Sequence, residues 1–274
     1  VEAATAYLDG RQVDGAVLVV AGPVEDDRIT LTNCPWTFSL AETEQALHVN
    51  RLIAINDFVA QALAIPRLAP AERVKLGGGD ALDERPIAVI GPGTGLGVAG
   101  LIRVHGRYHP IATEGGHVAF APRDDMDVTV LAVLRARYGH VSNERLLSGP
   151  GLVNLANALA EFRGHDLTIE SAADVTRRAD RDGCQICTEA IDRFCSLLGA
   201  AAGDLALTYG ARGGVYLTGG MIAHLGKRFD ADRVLAAFAD KGRFRAYLEA
   251  MPLYRVLRTD TGLIGAATAA SQLD

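Results

Sequence analysis

A strand, a run of glycines and a second strand lie together near the middle of the chain. Residues 87–90 are apolar, residues 91–97 contain four glycines, and residues 98–104 are mainly apolar again. This pattern predicts a β-hairpin whose tip is almost free of side chains, because glycine lacks a Cβ and accepts backbone conformations closed to other residues. Backbone N–H groups at such a tip can approach an anion closely. The sequence therefore predicts a hairpin suited to binding phosphate.

The same segment also matches a dinucleotide-binding pattern. Residues 95–100 fit G-x-G-x-x-G, and Glu114 lies at the spacing of the acidic residue that accompanies it. That pattern requires a helix directly after the glycines. Residues 98–104 are instead of strand length and end in a His105-Gly106 turn. We therefore interpret the segment as a hairpin and reject the dinucleotide-binding interpretation.

The composition excludes several classes of protein. The chain has 274 residues and 49% of them are hydrophobic, which is enough to bury a sizeable core. The net charge is −6, with acidic and basic residues mixed, whereas a nucleic-acid surface would cluster Lys and Arg. No apolar run reaches the length of a bilayer, and no basic segment precedes an apolar one at the start. We expect a soluble, cytoplasmic protein with neither a nucleic-acid nor a membrane partner.

Four cysteines are too few for a disulfide framework in a chain of this length. Cys184 and Cys187 have the spacing of half a zinc site, but no second pair follows them. Cys195 falls in the helical pattern at 186–207. We therefore expect these residues and Cys34 to be reduced, and we expect no metal site.

Strands and helices alternate along the chain. Continuous apolar runs at 16–21 and 52–55 predict strands covered on both faces. Ser39 and Glu42 have the spacing of a capping box, and Pro66 should stop the helix that follows residue 57. This alternation predicts an α/β fold, with glycines 77–79 at a crossing between domains. Further strands are expected at 28–32, 215–218 and 253–257, and further helices at 1–8, 128–138 and 262–270.

Asp57 is the leading candidate for a catalytic side chain. It follows the predicted strand at 52–55 and opens a helix, and open α/β sheets bind ligands at the carboxyl ends of their strands. The same position also suits an ordinary N-cap aspartate. Asn56 favours function, because two polar side chains at one strand end exceed what capping requires.

Other polar residues lie beside glycines. Glu114 and His117 flank two of them, which fits either a binding turn or a plain polar turn. Glu144 could be an ordinary glutamate at a helix start. Gly219 and Gly220 follow a predicted strand. They could form an ordinary turn between a strand and a helix, or they could allow close packing against an adenosine group. The sequence contains no G-x-x-x-x-G-K-[ST], H-E-x-x-H or G-x-S-x-G pattern.

Five motifs occur in the order seen in bacterial glucokinases, and the chain resembles that family over nearly its whole length. The resemblance implies an α/β chain with the two-domain ribonuclease H-like, actin-like ATPase (hexokinase-type) fold, closing around glucose and ATP. Residues 1–67 with 258–274 would form the small domain and residues 68–257 the large domain. The motifs are INDF at 55–58, GTGLG at 93–97, EGGH at 114–117, ERLLSGPG at 144–151 and LTGG at 217–220.

The resemblance also implies a function and a role for each candidate. The chain would be a homodimer that uses ATP and Mg²⁺ to phosphorylate the 6-hydroxyl of glucose, a step of glycolysis. Phosphoryl transfer depends mainly on positioning and charge stabilisation, which backbone amides and Mg²⁺ can supply. By this resemblance Asp57 is the general base, and Asn56, Asp57, Glu114, His117 and Glu144 bind the sugar. The phosphates would contact Gly93, Thr94, Gly95 and Gly97, and adenosine would contact Gly219 and Gly220.

One feature of the family is not found in this sequence. Enzymes of this fold begin with a strand and a D-x-G-G-T-type loop that binds phosphate, whereas Val1 falls in what resembles the helix after those strands. We therefore expect the small domain to lack its first strands and expose a sheet edge, and we do not expect efficient ATP turnover from this chain alone. Zinc-binding relatives carry cysteines just beyond the E-x-G-H-type turn, and residues 117–122 have none.

Two alternatives follow. The first is a non-catalytic sugar-binding or regulatory relative, which the missing loop favours. The second is a glycoside hydrolase that pairs Asp57 with Glu114, and it leaves the glycine hairpin without a role.

Overall fold

The computed structural model describes residues 1–24, 26–31 and 35–272, which form an α/β protein. The strands in this part of the chain are β1 (Gly15–Val20), β2 (Arg28–Thr30), β3 (Thr37–Ser39), β4 (Arg51–Asn56), β5 (Arg73–Gly77), β6 (Ile87–Pro92), β7 (Leu96–Val104), β8 (Arg107–Ala112), β9 (Val215–Leu217) and β10 (Leu253–Val256). The helices are α1 (Glu2–Leu8), α2 (Leu40–Leu47), α3 (Asp57–Ala64), α4 (Asp125–Tyr138), α5 (Gly149–Phe162), α6 (Ala172–Arg181), α7 (Gln185–Tyr209), α8 (Gly220–Leu225), α9 (Ala231–Ala239), α10 (Arg245–Glu249) and α11 (Thr261–Ala270).

A mixed sheet of six strands forms the centre of the molecule, in the order β5-β10-β9-β6-β7-β8. The inner strands β10, β9 and β6 are parallel, and β5, β7 and β8 are antiparallel to their neighbours. Two smaller sheets lie earlier in the chain: β1 pairs with β4 in parallel, and β2 pairs with β3 antiparallel. The carboxyl ends of β6 and β9 lie side by side, where ligands bind in open α/β sheets.

The predicted hairpin is confirmed as β6 and β7. Gly91 pairs with Gly97 and Pro92 with Leu96, which leaves residues 93–95 as the tip. A strand follows these glycines, so rejection of the dinucleotide-binding interpretation is also confirmed. His105 and Gly106, both with positive φ, form the predicted turn into β8.

Both faces of the large sheet are covered, and β6 shows this most clearly. Ile87 and Val89 point to the core beneath α3, whereas Ala88 and Ile90 point to the larger core formed with the helices from α4 to α9. This alternation follows from the two-residue period of a strand. The long helix α7 runs through the larger core and supplies many of its buried side chains.

Helix α3 is held from two sides. Val59, Ala62 and Leu63 lie in the core against the sheet. On its other side α3 packs closely on α11, where the backbone of Gly265 lies against the carbonyl of Ala60 and leaves no room for a side chain. The junction between β4 and α3, which carries Asn56 and Asp57, is therefore fixed relative to the sheet.

In the first third of the chain one prediction was wrong and one strand was not predicted. Strand β1 is half-buried over most of its length rather than covered on both faces, since β4 is its one strand neighbour within the described residues. The segment that leads to glycines 77–79 contains β5, an edge strand of the large sheet that was not predicted, and the crossing between domains at these glycines stays a prediction. Its partly exposed side chains, including Lys75, are typical of an edge strand, and the strand is too short to give a clear alternating pattern.

Most other elements match their predictions, with small shifts at their ends. Helix α3 ends at Ala64, and Pro66 lies in a following 3₁₀ turn at Ile65–Arg67. The strand predicted at 28–32 is observed as β2, and Thr32 and Cys34 lie outside the described residues. No helix in the described part of the chain has both the length and the apolar character needed to cross a bilayer.

Candidate active site

One cleft of about 370 Å³ opens between the β4–α3 junction, the tip of the β6–β7 hairpin and the turn at Gly115–His117. All the candidate residues from the sequence line this cleft, although they come from five separate segments of the chain. They are Asn56, Asp57, Gly93, Thr94, Gly95, Gly97, Glu114, His117, Glu144, Gly219 and Gly220.

Asn56, and not Asp57, caps helix α3. Its Oδ1 accepts hydrogen bonds from the N–H groups of Phe58 at 2.8 Å and Val59 at 3.3 Å, and its Nδ2 donates to the carbonyl of Gly22 at 3.1 Å. The side-chain amide of Asn56 therefore pairs with free N–H groups in the first turn of the helix, and it also bonds the helix start to the loop after β1. The N-cap interpretation of Asp57 is wrong, because the residue before it does that work.

Asp57 is the first residue of α3, and its carboxylate is half-buried in the cleft. Burial raises the pKa of Asp57 above its ordinary value, and the backbone N–H groups of Phe58 and of Asp57 itself oppose that rise in pKa. Removal from water penalises the charged form of a carboxyl group, and N–H donors favour it. A carboxylate with a raised pKa accepts a proton more readily, as a general base requires.

His117 lies between two carboxylates. Its Nε2 is 4.0 Å from Oε2 of Glu114 and 4.0 Å from Oε2 of Glu144. The side chains of Glu114 and His117 are 58% and 57% exposed, and that of Glu144 is 30% exposed. These three groups face the cleft with unused acceptor and donor capacity, so they can pair with the hydroxyl groups of a bound molecule.

Local hydrogen bonds bring these residues together. Phe120 donates its N–H to the carbonyl of Val141 at 2.9 Å, and Asn143 donates to the carbonyl of Val118 at 3.0 Å. These bonds place the turn that carries His117 beside the segment that carries Glu144. No sequence spacing indicates this pairing.

Glu144 also reaches the hairpin tip. Its Oε2 accepts a hydrogen bond from the N–H of Leu96 at 2.9 Å. A Cβ on Gly95 would lie 2.5 Å from the same oxygen, which is closer than a carbon atom can approach. Gly95 is therefore required by the position of the Glu144 carboxylate.

The remaining hairpin glycines differ in their surroundings. A side chain on Gly97 would overlap the ring of Phe58, so this glycine lets β7 pack against the start of α3. No atom lies within 4 Å of the place where a Cβ on Gly93 would be, and the same is true of Gly220. The carbonyl of Gly93 accepts a hydrogen bond from the N–H of Gly149 at 2.8 Å, which anchors the tip to the start of α5.

Three residues that were not predicted from the sequence also line the cleft or the cleft beside it, namely Thr113, Gln61 and Thr218. Thr113 donates to the carbonyl of Val98 at 3.0 Å and accepts from the N–H of Gly115 at 3.1 Å, which shapes the turn before His117. Gln61 accepts a hydrogen bond from the hydroxyl of Thr218 at 2.8 Å. Gln61 could have been predicted from the sequence, because it lies four residues after Asp57 and therefore on the same face of α3.

A second cleft of about 340 Å³ adjoins the first and shares Asp57, Gln61, Gly219 and Gly220 with it. It extends to the end of β10 and the start of α11, where Arg255, Arg258, Thr259, Thr261 and Gly262 line it. Across residues 1–24, 26–31 and 35–272, no group of three or more His, Cys, Asp or Glu side chains is placed to hold a metal ion.

Comparison with solved structures defines the class of protein. A crystal structure of glucokinase from an Antarctic psychrotroph is similar over 99% of this chain and 84% of that chain, with a TM-score of 0.88 and 36% sequence identity. A ROK family glucokinase from Streptomyces griseus, in complex with glucose and AMPPNP, shares the fold with a TM-score of 0.63 and 22% identity, over 98% of this chain and 86% of that chain. The chain therefore has the mixed α/β fold of these sugar kinases.

Sequence comparison defines the family. Residues 1–273 match the family model described as Glucokinase. The glucokinase of Aromatoleum aromaticum is 46% identical over 254 residues, which are 93% of this chain and 77% of that protein. The chain belongs to the glucokinase family, as the five ordered motifs indicated.

Proposed function

We propose that this protein transfers the γ-phosphoryl group of ATP to the 6-hydroxyl of glucose. The observation that carries the proposal is the single cleft in which Asp57, Glu114, His117 and Glu144 face the tip of the glycine hairpin. A hydroxyl-pairing surface and a phosphate-binding tip in one cleft suit a reaction that joins a sugar to a phosphoryl group. Membership of the glucokinase family supports the same reaction.

Asp57 is the proposed general base. It would take the proton of the 6-hydroxyl as that oxygen forms a bond to the γ-phosphorus, while the bond from the γ-phosphorus to the bridging oxygen breaks and ADP leaves. A base needs to lie within hydrogen-bond reach of its proton and to have a pKa suited to accepting it. The half-buried position of Asp57 and its raised pKa support this assignment.

Asn56, Glu114, His117 and Glu144 are proposed to pair with the other sugar hydroxyls, with Asp57 completing the set. Carboxylates accept hydrogen bonds, and the second Nδ2 hydrogen of Asn56 and a ring N–H of His117 can donate them. A site that pairs every hydroxyl rejects sugars that lack one, because a buried polar group would be left unpaired.

The nucleotide is proposed to lie across the hairpin tip and the second cleft. Gly93, Thr94, Gly95 and Gly97 would lie along the phosphates, and Gly219 and Gly220 along the adenosine. The open space in front of Gly93 and Gly220 supports a close approach of the ligand at these two positions. Gly95 and Gly97 also have packing reasons to be glycine, so their presence alone is weaker support.

Mg²⁺ is proposed to enter with ATP. This cation prefers oxygen ligands, keeps several waters and is usually held by one or two carboxylates together with substrate phosphates. The carboxylates of the cleft, Asp57, Glu114 and Glu144, are assigned to the proton and the sugar hydroxyls, so the ligands proposed for the cation are the phosphates of ATP and water. When bound, it would neutralise charge on the phosphates.

We further propose the two-domain organisation of the actin-like and hexokinase-type folds. Residues 1–67 with 258–274 would form one domain and residues 68–257 the other, with hinges near Pro66 and Arg258. Closure around both substrates would exclude water from the phosphoryl group. We propose a cytoplasmic homodimer on the basis of family likeness. Solution scattering with and without glucose tests the closure, and sedimentation tests the dimer.

A coupled assay of glucose-dependent ADP release tests the function. The assay compares the parent protein with Asp57→Asn, and we expect the variant to lose nearly all of the turnover that the parent shows. Calorimetry with glucose and with a non-hydrolysable ATP analogue supplies the second measurement. Glucose binding without nucleotide binding and without ADP release would overturn the proposal in favour of a non-catalytic sugar-binding protein.

A further inference from the structure

The start of α7 carries two cysteines that the proposed kinase site does not use. Cys184 is the N-cap of α7, and Cys187 is the third residue of the helix. Cys184 is partly exposed, whereas Cys187 is fully buried, with 0% of its surface accessible. One partly exposed thiol and one buried thiol therefore lie three residues apart, and neither lines the cleft that contains Asp57.

The two cysteines lie three residues apart at the start of α7, where the backbone at Cys184 is not yet helical. Residues three apart are neighbours on a helix, with Cβ atoms about 5–6 Å apart, and a disulfide needs Cβ atoms about 3.5–4.5 Å apart. Cys184 is not helical: its φ is −64° and its ψ is 108°. Gly183 before it has a φ of 63°, and no atom lies within 4 Å of the place where a Cβ on this residue would be, so other residues do not pack against the turn at this point.

The thiol of Cys187 is held in its neutral form. Burial, followed by the adjacent thiol of Cys184, raises the pKa of Cys187 to about 12. The nearby charged groups are Arg178 and Asp174 of α6, which pair with each other at 2.9 Å, so neither acts on Cys187 as an isolated charge. The exposed thiol of Cys184 should therefore react first with an oxidant, and Cys187 second.

We propose that Cys184 and Cys187 are a redox modification site that closes into a reversible intramolecular disulfide. The oxidant is a low-molecular-weight disulfide. The thiol of Cys184 loses its proton and attacks one sulfur of the oxidant, whose S–S bond breaks and releases one thiol. Cys187 then loses its proton and attacks the sulfur of Cys184, which forms the protein disulfide and releases the second thiol. Two protein thiols are oxidised by two electrons, one small disulfide is reduced, and both protons end on the released thiols.

Cys195 provides a matched internal control. It lies further along the same helix, is fully buried, and burial raises its pKa to about 11. It resembles Cys187 in burial and differs in lacking Cys184 beside it. If burial and helix position alone decided reactivity, Cys187 and Cys195 would behave alike.

The test treats the full chain with oxidised glutathione, blocks free thiols with iodoacetamide, and maps the peptides by mass spectrometry. We expect a product in which Cys184 and Cys187 are joined, while Cys195 is alkylated only after unfolding. Cys187→Ser should accumulate glutathione on Cys184. Cys184→Ser should slow modification of Cys187 by about tenfold or more, because Cys187 is buried and the exposed thiol that reacts first is gone. Closure should quicken by about tenfold for each pH unit, because only the thiolate of Cys187 attacks.

A second measurement needs no variants. Phenylarsine oxide binds two neighbouring thiols together, so one equivalent should protect both Cys184 and Cys187 from alkylation and a small dithiol should release it. A glutathione adduct on Cys184 that never resolves, a disulfide formed by Cys34 or Cys195 instead, or failure of the arsenical to protect both thiols would each overturn the proposal. Glucose-dependent ADP release is not the readout, so this result is independent of the proposed kinase function.

Discussion

The carboxylate of Glu144 accepts a hydrogen bond from the backbone N–H of Leu96, 48 residues away in the sequence, at 2.9 Å. The same oxygen lies 4.0 Å from Nε2 of His117 and against the backbone of Gly95. One side chain therefore joins the tip of the hairpin to the proposed sugar-binding turn. This link predicts that a change at a hairpin glycine will also affect the proposed sugar-binding turn.

Gly95→Ala should weaken sugar binding without unfolding the protein. The new methyl group meets the flexible end of Glu144, which can move away at little cost in stability. The displaced carboxylate then moves away from the sugar hydroxyl that it is proposed to bind. A hydrogen bond to a charged group contributes about 1.5–3 kcal/mol, so the KM for glucose should rise about 10-fold to 100-fold.

Gly93→Ala is the matched control for this change. It adds the same methyl group to the same hairpin tip, where no atom lies within 4 Å of it. We expect the KM for glucose to stay the same and the KM for ATP to rise. Equal effects of both variants on glucose would contradict the assigned role of Glu144.

Asp57→Asn should remove most of the catalytic rate. General-base catalysis contributes about 10²–10⁴-fold, so kcat should fall by that amount while the KM for glucose changes little, because an amide still fills the position. In the parent protein kcat/KM should fall with decreasing pH as Asp57 becomes protonated, at a pH above the ordinary titration range of aspartate because its pKa is raised. Steady-state kinetics across pH measures both effects, and a parent profile with no acid limb would contradict the assignment.

The same substitution should also change how stability depends on pH. Burial raises the pKa of Asp57 in the folded protein, so folding favours its neutral form. The stability that this provides is present below the unfolded pKa and is lost as pH rises through the folded pKa. Denaturant unfolding should therefore show Asp57→Asn gaining stability relative to the parent as pH rises.

Asp27→Asn should behave in the opposite way and serves as the control. The hydroxyl of Ser39 and the N–H of Ala41 lower the pKa of the exposed Asp27. Its stabilising contribution is therefore present above the unfolded pKa and is lost as pH falls. The asparagine variant should lose stability relative to the parent as pH rises, and the same trend for both variants would contradict the two pKa directions.

Gly97→Ala should destabilise the fold. Its methyl group overlaps the ring of Phe58, which is packed at the start of α3 and cannot withdraw freely. Overpacking of this kind costs about 1–3 kcal/mol of unfolding free energy. The double variant Gly97→Ala, Phe58→Leu should recover part of that loss, which thermal or denaturant unfolding can measure. Full additivity of the two single changes would argue against contact between these positions.

Most helices and strands could be predicted from the sequence, whereas the edge strand β5 and the number of neighbours of β1 could not. The apolar residues around the glycines predicted the hairpin, and Ser39 with Glu42 predicted the start of α2, because both signals come from neighbouring residues. Strand β5 was missed, because a short strand with partly exposed side chains has no strong pattern. The burial of β1 was overestimated for a related reason: an apolar run does not show how many strands will lie beside it.

The sequence by itself determined which residues could carry chemistry, since their types and their neighbouring glycines are local properties. Only the tertiary structure decided which contacts and hydrogen bonds each of these residues makes. Asn56 caps α3 in place of Asp57, and Gly95 and Gly97 are required by Glu144 and Phe58 rather than by a ligand alone. The physical reason is that these roles depend on contacts between segments far apart in the chain. Such contacts are set by packing on the sheet, and they leave no periodic trace in the order of residues.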